Sequence, residues 1–315
     1  MKNEKMKFSA TYTSISKMVD ELYDGFVPEV YGKIKTLNYI NLIPDVPYSK
    51  VLPDLNSTLA WVDSSSCTSF SGAGSTSSFV GRVVTTCFKK AEEALCLDEM
   101  SQYYFGAYMR SNYEDVPFEE AFLRHKEELV AKNLDTFFWN GDGGACLTSI
   151  TKTAFDGGAT GITASSLSLS SGITASGIIN TIDNAIAALP ADYSSEDDLI
   201  IFVGQDLFDL YVKSWRNIGN YFVDYKELET GETRIPGKSN IKLVATVGLN
   251  GKNKGMLGKA SFIHWACDKD FREEGFKSEY NFQLDKYLLR FKTKIGGQVS
   301  HPESFVVFTS ANTIA

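Results

Sequence analysis

Apolar positions recur with two periods along this chain, and the places where the period changes mark its elements. Between Pro117 and Phe138 the residues Phe118, Phe122, Leu123, Leu129, Val130, Leu134 and Phe137 return every three or four positions, as on one broad face of an α-helix. Pro117 suits a first helical turn and pushes Val116 out of the α region. Glu119 and Glu120 sit where the helix dipole favours negative charge, and Gly141, Gly143 and Gly144 stop the run. A second helix is predicted from Ile178, Ile179, Ile182, Ala185, Ile186 and Leu189, with Ser176 as N-cap and Pro190 as its end. Leu199 to Val203 is an unbroken apolar run and reads as a short buried strand. Gly204 then turns the chain into a third helix, from about Asp206 to Trp215.

The remaining pattern is that of strands. Asp54 to Asp63, with Leu55, Leu59, Trp61 and Val62, reads as one strand. Phe79 to Phe88 reads as another, continued by Ala91 to Leu97. The segment between them, Ser64 to Gly81, carries no charge: eight of its 18 residues are serine and three are glycine. The prediction is an extended hairpin whose tip cannot bury enough apolar surface to fold alone and orders on a partner. Pro44, Pro47 and Pro53 predict an extended connector ahead of it, and the residues before them an arm with at most one short helix. Lys242–Val247 and Ala260–Trp265 read as strands flanking a Gly-rich turn, Gly248 to Gly258. Tyr280 to Ile295 reads as a long strand or a strand pair, broken by Gly296 and Gly297, and Ser304–Thr309 as a last buried strand. The fold class is α+β.

Composition narrows the function. The 315 residues are 43% hydrophobic and 22% charged, as in a soluble globular chain. A net charge of −8 argues against a protein that works by gripping nucleic acid. No apolar run is long enough for a transmembrane helix, and no apolar segment follows the charged start, so no signal peptide is expected. The cysteines Cys67, Cys87, Cys96, Cys146 and Cys267 are odd in number and show no CxxC spacing; isolated reduced thiols are expected. His125, His264 and His301 show no ligand spacing. No complete phosphate loop, dinucleotide fingerprint or nucleophile elbow is present. Asn140 to Gly143 starts like a calcium loop, but Thr151 stands where the bidentate acid belongs. Asp268, Asp270, Glu273 and Glu274, interleaved with Lys269 and Arg272, read as a solvated loop. No catalytic residue, cofactor or metal is expected.

The order of elements — arm, long hairpin, long helix ending in Phe138 to Asp142, mixed domain, return strand — resembles the major capsid proteins of tailed bacteriophages, the Hong Kong 97-type fold. The segments Leu199–Phe208, Lys242–Trp265 and Gly297–Phe305 add to the likeness. The resemblance implies an N-terminal arm (1–45), an E-loop hairpin (46–100), a P-domain spine helix (101–142), an A-domain (143–279) and strands returning to the P-domain (280–315). It implies a structural protein that assembles with itself into hexamers and pentamers of an icosahedral head around double-stranded DNA. Assembly would take place in the bacterial host cytoplasm, with a separate scaffolding protein, a portal and decoration proteins as possible partners and no membrane. Many members carry a long scaffolding segment before the hairpin, and only the arm stands there in this sequence. Intersubunit contacts are expected from the hairpin, with Trp61, Phe70, Phe79, Arg82, Glu92 and Glu93 as candidates. Two alternatives stay open: an encapsulin-like nanocompartment shell of the same fold, and a secreted β-rich adhesin or hydrolase.

Overall fold

Neighbouring aromatic residues at the end of one long helix reach into two different sheets and set the architecture. The computed structural model describes residues 29–58, 76–96, 118–143, 146–162, 177–218, 231–268, 276–284 and 286–309. Along it run β1 (Asn41–Ile43), β2 (Ser49–Thr58), β3 (Thr76–Thr85), β4 (Cys87–Leu95), α1 (Phe118–Asn140), α2 (Ile150–Asp156), β5 (Thr160–Ile162) and α3 (Ile178–Ala187). There follow β6 (Leu199–Gly204), α4 (Gln205–Ile218), β7 (Glu232–Ile235), β8 (Lys238–Thr246), β9 (Lys254–Lys259), β10 (Ile263–Cys267), β11 (Phe276–Asn281), β12 (Lys286–Val299) and β13 (Val306–Thr309).

The strand β12 organises a five-stranded sheet. It pairs antiparallel with β11 and β10 along one edge and with β4 along the other, and β1 adds parallel to β10. A six-stranded sheet has the order β5-β13-β9-β6-β8-β7. Helix α1 lies between the two: Phe138 stacks on Trp265 of β10 with ring centroids 4.4 Å apart, and Trp139 meets Phe202 of β6 at 5.1 Å. Such pairs add about 0.5–1.5 kcal/mol each beyond the area they bury. Every residue of β6 is buried. Side-chain alternation sends Ile200 and Phe202 to the core under α1, and Leu199, Ile201 and Val203 to a second core beneath α3 and α4. A strand buried on both faces needs an unbroken apolar run, which Leu199–Val203 supplies.

Several expectations are corrected. The segment ahead of the hairpin packs on the body from residue 29 onward: residues 29–32 are helical, Lys35–Asn38 forms a 3-10 turn, β1 joins a sheet, and Val30 and Ile34 are buried in the first core. The first hairpin strand spans Ser49–Thr58, so Pro53 lies inside it and not in a connector. A two-stranded ribbon tolerates this, because the missing N–H can face solvent. The second hairpin strand does not run on past Phe88 as one element. The chain changes partner at Thr86, whose hydroxyl donates to the Val46 carbonyl; β3 pairs with β2, and β4 pairs with β12.

Glycine misleads three times. Gly248–Gly258 is not one turn: β9 fills its second half, where a Cβ at Gly255 would overlap the Phe308 ring and one at Gly258 the Phe305 ring. Consequently the strands at 238–246 and 263–267 do not pair with each other. Gly296 and Gly297 do not break β12; they let the Thr85 backbone and the Phe138 ring approach it. Gly177, not Ser176, stands at the N-cap of α3, and that helix closes at Ala187, ahead of Pro190.

Among the described side chains of α1, Glu127, Ala131, Leu134, Asp135, Phe138 and Trp139 are buried, while Leu129 is exposed. This stripe contains two acids that the apolar pattern does not include, and Phe118, Phe122 and Leu123 lie outside the described side chains. Asp268 is likewise not solvated: it is buried against Lys294, 2.7 Å away. Finally, Cys87 and Cys146 are not isolated thiols. They form a disulfide, because the turn behind α1 brings residues separated by 59 positions to a Cα–Cα distance of 5.9 Å.

Candidate intersubunit surface

The β2–β3 ribbon leaves the body at the edge of the five-stranded sheet. Ten register pairs hold it, from Ser49↔Thr85 to Thr58↔Thr76. At its root one face carries Leu52 and Val84, both buried against Val46 and Ala266. The other face carries the cross-strand pair Val51 and Val83, 58% and 49% exposed. A two-stranded ribbon is at best marginally stable alone in water, so a ribbon with apolar residues turned outward is a surface that gains by being covered.

Two further exposed aromatics flank the root. Tyr48 is 72% and Phe88 64% exposed, and the Lys294 ammonium lies over both rings, 5.1 and 4.5 Å from their centroids. That ammonium also donates to the Pro47 carbonyl at 2.9 Å and pairs with Asp268. The buried ion pair thus fixes the connector and β4 where the ribbon emerges, and it holds both rings in place.

The candidates named from the sequence fall into four groups. Trp61 and Phe70 lie outside the described residues. Phe79 stands opposite Leu55 in the ribbon. Arg82 is half-buried and turned inward, donating to the Gly157 carbonyl at 3.0 Å. Glu92 and Glu93 lie on β4 and are exposed. Glu92 pairs with Lys90 at 2.9 Å, and that hydrogen bond holds its carboxyl below the ordinary range. Glu93 pairs with Lys126 of α1. The structure therefore gives Arg82, Glu92 and Glu93 partners within the chain. The outward residues Tyr48, Val51, Val83 and Phe88 were missed by the sequence reading. Simple alternation would have found the first pair: once Leu52 and Val84 point inward, Val51 and Val83 point out.

The histidines lie apart from this surface. His125 is exposed on α1. His264 Nε2 lies 3.3 Å from Ser300 Oγ, and burial, then the nearby His301, lowers its pKa. His301 pairs with Glu303 at 3.3 Å. Among the described residues no group of three or more His, Cys, Asp or Glu could hold a metal ion, and no helix is long and apolar enough to cross a membrane.

No protein-family model and no curated protein matches the chain. Solved structures do match it in fold. The satellite phage P4 procapsid, a structure that includes the size-determination protein, aligns with a TM-score of 0.59 at 11% identity, over 98% of this chain and 93% of that one. The capsid of the Myoviridae phage XM1 aligns with a TM-score of 0.55 at 12% identity, over 90% of this chain and 91% of that one. The virus-like particle from Pyrococcus furiosus gives 0.50 at 10% identity, over 92% and 98%. The mixed α+β architecture of this chain is thus one that phage capsid structures share.

Proposed function

We propose that the chain is the major capsid protein of a tailed bacteriophage, of the Hong Kong 97 type, building the hexamers and pentamers of an icosahedral head around double-stranded DNA. One observation carries the reading: the fold match to the P4 procapsid spans 98% of this chain and 93% of that one, so the likeness extends over nearly the whole fold and is not confined to one part of it. In this reading the β2–β3 ribbon is the E-loop, α1 is the spine of a P-domain built on the five-stranded sheet, and the six-stranded sheet with α3 and α4 is the A-domain. Of the strands from residue 280 onward, β12 belongs to the P-domain sheet and β13 to the A-domain sheet, and contacts between subunits run through the ribbon, at whose root Tyr48, Val51, Val83 and Phe88 are exposed. The protein acts by assembling and not by turnover, and its place is the virion.

Size-exclusion chromatography with negative-stain microscopy across a concentration series tests the proposal. Polyhedral shells, or rings of five and six subunits, are the expected result. A 34.8 kDa monomer at every concentration overturns it. The likeness to the Pyrococcus furiosus virus-like particle supports a second reading, a nanocompartment shell. The contents of purified particles separate the two: DNA favours the capsid, and protein cargo favours the compartment. Release of sugar from a glycan substrate would favour the hydrolase.

A further inference from the structure

The root of the ribbon and the turn behind α1 are held together in three places. Arg82 donates to the Gly157 carbonyl at 3.0 Å, Cys87 is bonded to Cys146, and Lys89 pairs with Asp142. All three run from residues 82–89, at the end of β3 and the start of β4, to residues 142–157, which lead from α1 through α2. The two outer contacts are a hydrogen bond to a neutral carbonyl and an ion pair that keeps some contact with water, both easily remade. The bond between them is the only covalent tie among the three. Its halves are unequally placed: Cys87 is 2% exposed, whereas Cys146 is exposed.

We propose that Cys87–Cys146 is a reversible redox clasp, opened and closed by thiol–disulfide exchange with a small thiol through Cys146, which locks the root of the ribbon to the turn behind α1. The inference stands on contacts within one subunit and does not need the shell reading. For closure, the Cys146 thiolate attacks a small disulfide such as oxidised glutathione and releases one glutathione thiol. The Cys87 thiolate then attacks the Cys146 sulfur of the mixed disulfide and displaces the second. Two cysteine thiols are oxidised and one glutathione disulfide is reduced to two thiols, so electrons and protons balance. Opening runs backwards: a glutathione thiolate attacks the sulfur of exposed Cys146 and Cys87 leaves as a thiolate that takes a proton from water; a second glutathione thiolate then attacks the glutathione sulfur of the mixed disulfide, releasing oxidised glutathione and the Cys146 thiolate. Exchange needs access for the attacking thiolate, which Cys146 has and Cys87 lacks. Buried Cys267, whose thiol burial pushes up to about 11, is a poor competitor.

The test uses the full chain equilibrated in glutathione buffers of stepped redox ratio, quenched by acid and alkylation. Peptide mapping without reduction quantifies the 87–146 crosslink, and hydrogen exchange is measured at both ends of the series. The crosslink should titrate reversibly with the glutathione ratio. Amides at 82–89, 142–143 and 146–149 should exchange about tenfold faster in the reduced chain, with β6 and α4 unchanged, because local opening and global unfolding are separate events. Cys146→Ser, at an exposed site, should fold and should match the reduced chain at every ratio. Three results would overturn the clasp: no crosslink at any ratio, a crosslink that glutathione cannot open without unfolding, or equal exchange in both states.

Discussion

At the scale of single residues, the chain places acids where its hydrophobic stripe leaves no room for water. Asp135 is 3% exposed on the inner face of α1. Its carboxylate accepts from Thr36 Oγ1 at 2.5 Å and from the Gly248 amide at 2.7 Å, while Trp139 Nε1 donates to the same Thr36 oxygen at 3.1 Å. The node ties the 3-10 turn at Lys35–Asn38, helix α1 and the turn after β8 into one unit. Burial raises the Asp135 pKa, outweighing the hydrogen bonds that lower it. The folded state therefore binds this proton more tightly than the unfolded chain does. Stability from this group is fully present below the ordinary aspartate pKa and is lost as pH rises through the raised one. Asp135→Asn keeps an acceptor for the Gly248 amide and reverses the other hydrogen bond, its amide N–H donating to Thr36 Oγ1. It should melt close to the parent at neutral pH while flattening that part of the pH profile. Asp135→Ala leaves two buried donors unsatisfied, at about 1–3 kcal/mol each, and should melt far lower. Equal melting of the two variants would show that the node holds nothing. The buried pair Lys294–Asp268 works differently. Removing one partner strands a charge, so Asp268→Ala should cost about 3–5 kcal/mol, and thermal melting of the subunit measures it.

Elements show most clearly what the sequence disclosed and what it hid. The existence of α1, α3, α4 and β6 is legible because each depends on a period read over a few turns. What such a period cannot show is which partner an element meets. Leu129 and Leu134 belong to the same apolar pattern, yet Leu129 is 38% exposed and Leu134 3%. Helix α1 lies in a narrow seam between two sheets, so its buried stripe is set by Trp265 and Phe202, which are distant in sequence. Glycines at 255, 258, 296 and 297 read as punctuation because their true neighbours, Phe305, Phe308, Thr85 and Phe138, lie elsewhere in the chain. The contrast within α1 yields a test. Leu134→Ala opens a cavity in the first core and should cost about 2–5 kcal/mol, out of the roughly 5–15 kcal/mol that holds a domain folded. Lys132, exposed on the opposite face, should tolerate alanine with little change in melting. Similar small shifts for both would mean that α1 does not carry the seam.

For the whole molecule, the disulfide and the outward ribbon bear on the same question: how a subunit can be finished and still have something left to bury. The cysteine pairing was hidden because a separation of 59 residues says nothing about distance until the turn behind α1 is in place. The ribbon was legible as a hairpin, yet its working surface was not, since the face that turns inward is set by Ala266, far away in the sequence, together with Val46. In the folded chain the root presents Val51 and Val83 on one face and hides Leu52 and Val84 on the other. These faces make different predictions for the same chemical change. Val84→Asp puts an unpaired carboxylate into the core at 0% exposure, which is costly, and should prevent a soluble folded subunit. Val83→Asp puts it into water, where surface substitutions usually cost within about 0.5 kcal/mol, and should leave melting nearly unchanged. If the proposed shell forms and a second copy covers the outer face, the buried charge should instead stop assembly, giving folded subunits that elute small at concentrations where the parent is expected to form particles. Glu93→Gln, which removes an acid already paired with Lys126 inside the chain, should assemble as the parent does. Particles of normal yield from Val83→Asp would show that the outer face stays wet in the shell, and the contact between subunits would then have to lie elsewhere on the molecule.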